Sequence, residues 1–172
     1  MNKIFFLILV TGVALSVFYY YKDIDGYTKY IGADLIERVK KKTNSDNTYY
    51  YFNIWNTSCI PCVKEMPDID SLAILYKDKV DFIFITNEAN EKIEWFLKEK
   101  NINLTNCVFL NDEESTIAYL NERIEKKQLS YPTHIIMNDR LEVIHHHTGG
   151  ISVTGTVSFF NPVLTKALKD LK

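Results

Sequence analysis

The spacing of apolar and polar positions changes several times along this chain, and each change marks an element. Ile4 to Tyr21 contains no charged residue. At a rise of ~1.5 Å per helical residue this run covers most of a ~30 Å hydrocarbon layer, so it predicts an N-terminal transmembrane helix. Lys3 lies before it and Lys22-Asp23-Ile24-Asp25 after it. Keeping the basic end in the cytoplasm puts the rest of the chain outside. A cleaved signal peptide is the competing reading, with Ala14-Leu15-Ser16 as a small-x-small site. Residues 1–22 are therefore an anchor or signal segment. Residues 23–33, polar and interrupted by Gly26 and Gly32, read as a linker, with a short edge strand expected at Tyr27 to Ile31. The folded domain is expected over 34–172.

From Asp34, Leu35, Ile36 and Val39 recur at helical spacing up to Lys40-Lys41-Lys42. Tyr49 to Trp55 is rich in strand formers. Met66, Ile69, Leu72, Ala73 and Tyr76 then hold one apolar helical face, with Ser58 as the expected N-cap and Pro61 in the first turn, where a missing N–H costs nothing. Val80 to Thr86 has the continuous apolar character of a buried strand, and Ile93, Phe96 and Leu97 mark another helix. A short strand over Cys107 to Leu110 and a charged helix over Ser115 to Lys126 follow. Thr133 to Met137 and Leu141 to His147 flank Asn138-Asp139-Arg140, which predicts an antiparallel hairpin. Asn161-Pro162 reads as the start of a last helix. Alternating strands and helices closed by a hairpin imply an α/β domain, with a mixed central sheet and helices on both faces.

Charge excludes one class of partner. The formal net charge of -2 in 172 residues leaves no basic footprint, so nucleic acid is not an expected ligand. Three cysteines are too few for a disulfide-stapled scaffold or a four-cysteine zinc site. Two of them form Cys59-Ile60-Pro61-Cys62, between the Tyr49–Trp55 strand and the helix that follows. A helix N-terminus stabilises a thiolate through its unpaired N–H groups and dipole, so this placement gives the C-x-x-C pair redox meaning. The third, Cys107, reads as a small buried hydrophobe.

With these residues in view, the chain resembles the thioredoxin superfamily, specifically the membrane-anchored TlpA/ResA-like thiol-disulfide oxidoreductases, over roughly Tyr49 to Leu171. The resemblance rests on Asn53 and Trp55 before the motif, Cys59 and Cys62, Glu65 and Pro67 after it, and Tyr131-Pro132-Thr133 downstream. It implies a thioredoxin-like fold, a redox disulfide between Cys59 and Cys62, and a cis proline at Pro132 packed against the cysteines. It also implies substrate contact by Tyr131, Pro132 and Trp55, and proton exchange with Cys62 by Glu65. The implied reaction is disulfide exchange on client proteins, without a cofactor and in the reductive direction. A membrane or extracytoplasmic electron donor would supply electrons, with the protein held in a bacterial cytoplasmic membrane through residues 4–21. The chain departs from the family at Ser58, where a tryptophan is usual, and in having a helical pattern rather than a hairpin before the motif.

Two further patterns need weighing. His145-His146-His147 puts His145 and His147 on one strand face, so a copper-binding accessory protein using Cys59, Cys62 and a histidine is the alternative function. The cysteine spacing of copper carriers on this fold, C-x-x-x-C, argues against it, and no metal site is expected. His134 is expected on the sheet exterior or against a helix, without a role. Gly149-Gly150 is expected to let the backbone pass close to the cysteine loop.

Overall fold

A computed structural model describes residues 13, 26–111, 114–125, 130–151 and 155–169. The apolar segment 4–21, Val13 apart, lies outside the described residues. Among those described, no helix is long and apolar enough to cross a membrane.

Helix α1 spans residues 26–43. It is followed by β1 (Tyr49–Ile54), α2 (Ile60–Tyr76), β2 (Val80–Thr86), α3 (Asn90–Glu99), β3 (Val108–Asn111), α4 (Glu114–Arg123), β4 (Thr133–Asn138), β5 (Val143–Thr148) and α5 (Thr156–Lys169). The five strands form one mixed sheet in the order β3-β2-β1-β4-β5. β1 pairs in parallel with β2, and β2 with β3, whereas β4 runs antiparallel to both β1 and β5. This is the expected architecture.

The period-two alternation of β1 divides the interior. Tyr49 and Tyr51 face a layer with Met66, Ile69 and Leu72 of α2, Ile93 and Phe96 of α3, and Phe160 and Leu164 of α5. Tyr50, Phe52 and Ile54 face the other layer, with Leu35 and Val39 of α1 and Ile117 and Leu120 of α4. All six residues of β1 are buried, as a strand covered on both faces must be.

Three expectations are corrected. Residues 26–33 belong to α1, so neither a linker up to residue 33 nor an edge strand at Tyr27–Ile31 is formed. Gly32 is tolerated in the helix because α1 passes close to α4 there: a Cβ on Gly32 would sit 2.5 Å from the Tyr119 hydroxyl oxygen. The cap of α2 is Cys59, not Ser58, whose N–H and hydroxyl instead turn to Asn56 Oδ1. The last helix begins at Thr156, with Pro162 inside it. Its start is fixed by a tertiary contact, the Thr156 N–H donating to Asp68 Oδ2 (3.1 Å), and by Gly155 at φ +73. The local Asn-Pro signal is overridden.

Candidate active site

The hydrogen-bond ladder of β1 ends at Ile54, and the chain turns through Trp55 to Ser58 before α2 begins. Trp55 keeps the sheet register through its N–H to Ile85 O (3.1 Å). Glu88, just beyond β2, pins Thr57, accepting from the Thr57 N–H (2.7 Å) and hydroxyl (2.9 Å) and from Lys92. These bonds hold its carboxyl below the ordinary glutamate range against the opposing effect of burial. The loop is thus fixed from both sides before it reaches the cysteines.

Cys59 and Cys62 are joined as a disulfide. Cys59 caps α2: its Sγ accepts from the Cys62 N–H at 3.3 Å. Cys59 is 8% exposed and Cys62 fully buried, so a partner can approach only the first sulfur. Ile60 and Pro61 project outward beside it, Ile60 being 69% exposed.

Across the sheet, Ile54 pairs with Thr133, which brings the residue before Thr133 to the level of the cysteine loop. The Tyr131–Pro132 peptide is cis. Pro132 is buried, and its carbonyl accepts from the Gly149 N–H (2.9 Å), while Tyr131 is half-buried against the layer that contains both cysteines. Gly150 passes the loop as expected, since a Cβ there would lie 2.8 Å from Pro61 Cβ. Trp55 does not fit the expected substrate contact. It is fully buried among Phe84, Phe96 and Phe109, with ring centroids 5.8–6.3 Å away, and forms a wall beneath the loop with no surface for a client.

Glu65 is 5% exposed and therefore not a solvated helix residue. Its Oε1 accepts from the Ile151 N–H at 2.6 Å. Its Oε2 lies 3.2 Å from His134 Nε2, an ion-pair distance without hydrogen-bond alignment. His134, expected to have no role, is fully buried in the middle of the sheet. Its Nδ1 meets the Tyr51 hydroxyl at 2.8 Å and Asn53 Nδ2 at 3.0 Å. Burial pushes the His134 imidazole below its usual pKa, with Glu65 acting in the opposite sense. The signal for this residue was present in the sequence as the residue two after Pro132, but only the β1–β4 register shows that it faces Asn53.

The remaining candidates are His145, His147 and Cys107, of which His147 on β5 lies beside His134. His145 and His147 share a face as expected, and their rings pack on Phe159 at centroid distances of 6.1 and 4.9 Å. Among the described residues, no group of three or more His, Cys, Asp or Glu side chains is arranged to hold a metal ion. Cys107 is half-buried beside Asp70, and burial, with Asp70 adding to it, pushes its thiol far above the ordinary range.

A family model described as Redoxin matches residues 37–164. The chain is 27% identical over 104 residues to the thiol-disulfide oxidoreductase ResA of Halalkalibacterium halodurans, a match covering 59% of this chain and 54% of that protein. The chain thus spans about half the length of that curated relative. Among solved structures, it is similar to a thiol:disulfide interchange protein of the thioredoxin family from Chlorobium tepidum, at TM-score 0.57 and 21% identity, covering 70% of this chain and 80% of that one. A DsbF homologue from Corynebacterium diphtheriae is similar at TM-score 0.55 and 18% identity, covering 71% and 73%. These likenesses establish the thioredoxin-like fold.

Proposed function

The chain belongs to the Redoxin family, and we propose that it is a thiol-disulfide oxidoreductase that reduces disulfides of client proteins outside the cytoplasm. The observation that carries the reading is the placement of the cysteine pair: Cys59 caps α2 with its sulfur facing the Cys62 N–H, and Cys62 lies fully buried behind it. A helix N-terminus lowers the pKa of a thiol that sits there, which makes Cys59 the nucleophile of the reduced protein.

The Cys59 thiolate attacks one sulfur of the client disulfide, forming a mixed disulfide and releasing the other client sulfur as a thiolate. Cys62 then attacks Cys59, closing the Cys59–Cys62 disulfide and releasing the second client thiol. The client gains two electrons and the protein loses two. Glu65 is assigned proton exchange with Cys62, and its burial supports this role over a solvated one. Tyr131 and Pro132, at the level of the cysteine loop, are assigned the client backbone. Trp55 supports the loop from beneath.

The extracytoplasmic location is supported by the charge-free run 4–21 and the position of Lys3. In this reading residues 1–22 anchor or export the protein, the run meets lipid, and the folded unit begins with α1. A dithiol carrier of the membrane or of the outer compartment regenerates the reduced pair. The test is whether the full chain accelerates reduction of a protein disulfide by a small thiol. Acceleration that is lost in Cys59→Ser is expected, and no acceleration by the wild-type chain would overturn the proposal.

A further inference from the structure

His134 and Glu65 come from different elements, β4 and α2; His134 is fully buried and Glu65 nearly so. A buried imidazole beside a buried carboxylate is costly unless its neighbours settle where its proton lies. Here they do. The Asn53 amide N–H donates to Nδ1 at 3.0 Å, and the Tyr51 hydroxyl lies 2.8 Å from the same nitrogen. The imidazole proton therefore sits on Nε2, which faces Glu65 Oε2 at 3.2 Å. The opposite tautomer would set an Nε2 lone pair against a carboxylate oxygen. With Oε1 taken by the Ile151 N–H, Glu65 Oε2 is left facing the His134 Nε2–H across 3.2 Å.

We propose that His134 is a positioning residue for Glu65: a neutral imidazole, fixed as the Nε2–H tautomer by the Asn53 amide, that orients the Glu65 carboxylate for proton exchange with Cys62. The inference rests on the proposed exchange at Cys59–Cys62. As the Cys62 sulfur attacks Cys59, its proton passes to Glu65, the new S–S bond forms, and the client sulfur leaves with its electron pair and is protonated from solvent. When the disulfide is reduced, the proton returns from Glu65 to the departing Cys62 thiolate. The titratable groups that face His134 are Tyr51 from β1, Glu65 from α2 and His147 from β5, the last with a ring centroid 6.0 Å away, and His145 lies on the same face of β5. Phe160 of α5 closes the site with an apolar ring at 5.0 Å.

The experiment measures the rate at which dithiothreitol reduces the Cys59–Cys62 disulfide of the full chain as a function of pH, so that no protein client is needed. His134→Leu should slow the reaction about tenfold near neutrality and displace its pH profile. His134→Gln, whose side-chain N–H can occupy the Nε2 position, should recover to within about threefold of wild type, whereas His134→Asn, which is too short, should not. In a Glu65→Gln background, His134→Leu should have no further effect, because the two act as one unit. The proposal is overturned by an unshifted His134→Leu profile, by equal slowing in the Glu65→Gln background or, should His134→Leu fail to fold, by equal rates for the Gln and Asn variants. A chain that shows the expected pattern with dithiothreitol but never reacts with a protein disulfide would overturn the proposed function and leave the role of His134 standing.

Discussion

Glu65 Oε2 lies 3.2 Å from His134 Nε2, joining the helix that begins at the cysteines to the strand that follows the cis proline. The contact spans the interior between α2 and the sheet. Glu65 is therefore a core residue, bonded to the Ile151 N–H and facing His134, and the chemistry assigned to it depends on packing as well as on its place three residues after Cys62 on α2.

Burial holds the His134 and His145 imidazoles below the ordinary histidine value of 6.5, which has a consequence for stability. The unfolded chain takes up protons on these groups as the pH falls through that value, before the folded chain does. More protons are then bound to the unfolded state, so stability falls as the pH falls below about 6.5. Urea unfolding between about pH 7 and about pH 5 should show a declining midpoint, with a limiting slope of about 1.4 kcal/mol per pH unit from the buried His134 and a smaller, solvent-screened contribution from His145. His134→Gln should flatten the decline. A midpoint that rises on acidification would contradict the assignment.

Gly150 sets the distance between the β5–α5 connection and the cysteine loop. Replacing it with alanine would put a Cβ 2.8 Å from Pro61 Cβ, an atom locked in a ring and unable to swing away. Overpacking of this kind costs about 1–3 kcal/mol. Gly150→Ala should lower the unfolding free energy by that amount in denaturant titrations, and an unchanged midpoint would show that the loop yields freely.

Most of the fold was legible from periodicity, because β1, β2 and the apolar faces of α2, α3 and α5 are covered by neighbours and must be apolar wherever they are covered. The cysteine pair was legible for the same reason, since its meaning lay in the change from strand period to helix period at Trp55. What the sequence did not disclose depends on contacts distant along the chain. The start of α5 is set by Asp68, 88 residues before Thr156, and Ser58 yields the cap position to Cys59 because Asn56 takes its N–H. α1 runs through Gly26 and Gly32, which a local reading takes as breaks, and at Gly32 it packs close to Tyr119. His134 is the clearest case. One residue in an apolar strand carries no mark of its partners, and only the pairing of Asn53 with His134 brings Tyr51, Asn53 and Glu65 around it.

The central claim is that Cys59 receives the client and Cys62 releases it. Its most direct test is trapping by the full-length Cys62→Ser variant, which keeps the attacking sulfur and lacks the one that resolves the intermediate. Incubated with a protein disulfide in the absence of small thiols, it should accumulate a mixed disulfide through Cys59, seen as a thiol-sensitive adduct whose cross-linked peptide contains residue 59. Cys59→Ser should form no such adduct. An adduct through Cys107, or none with Cys62→Ser while the wild-type chain still catalyses exchange, would contradict the account.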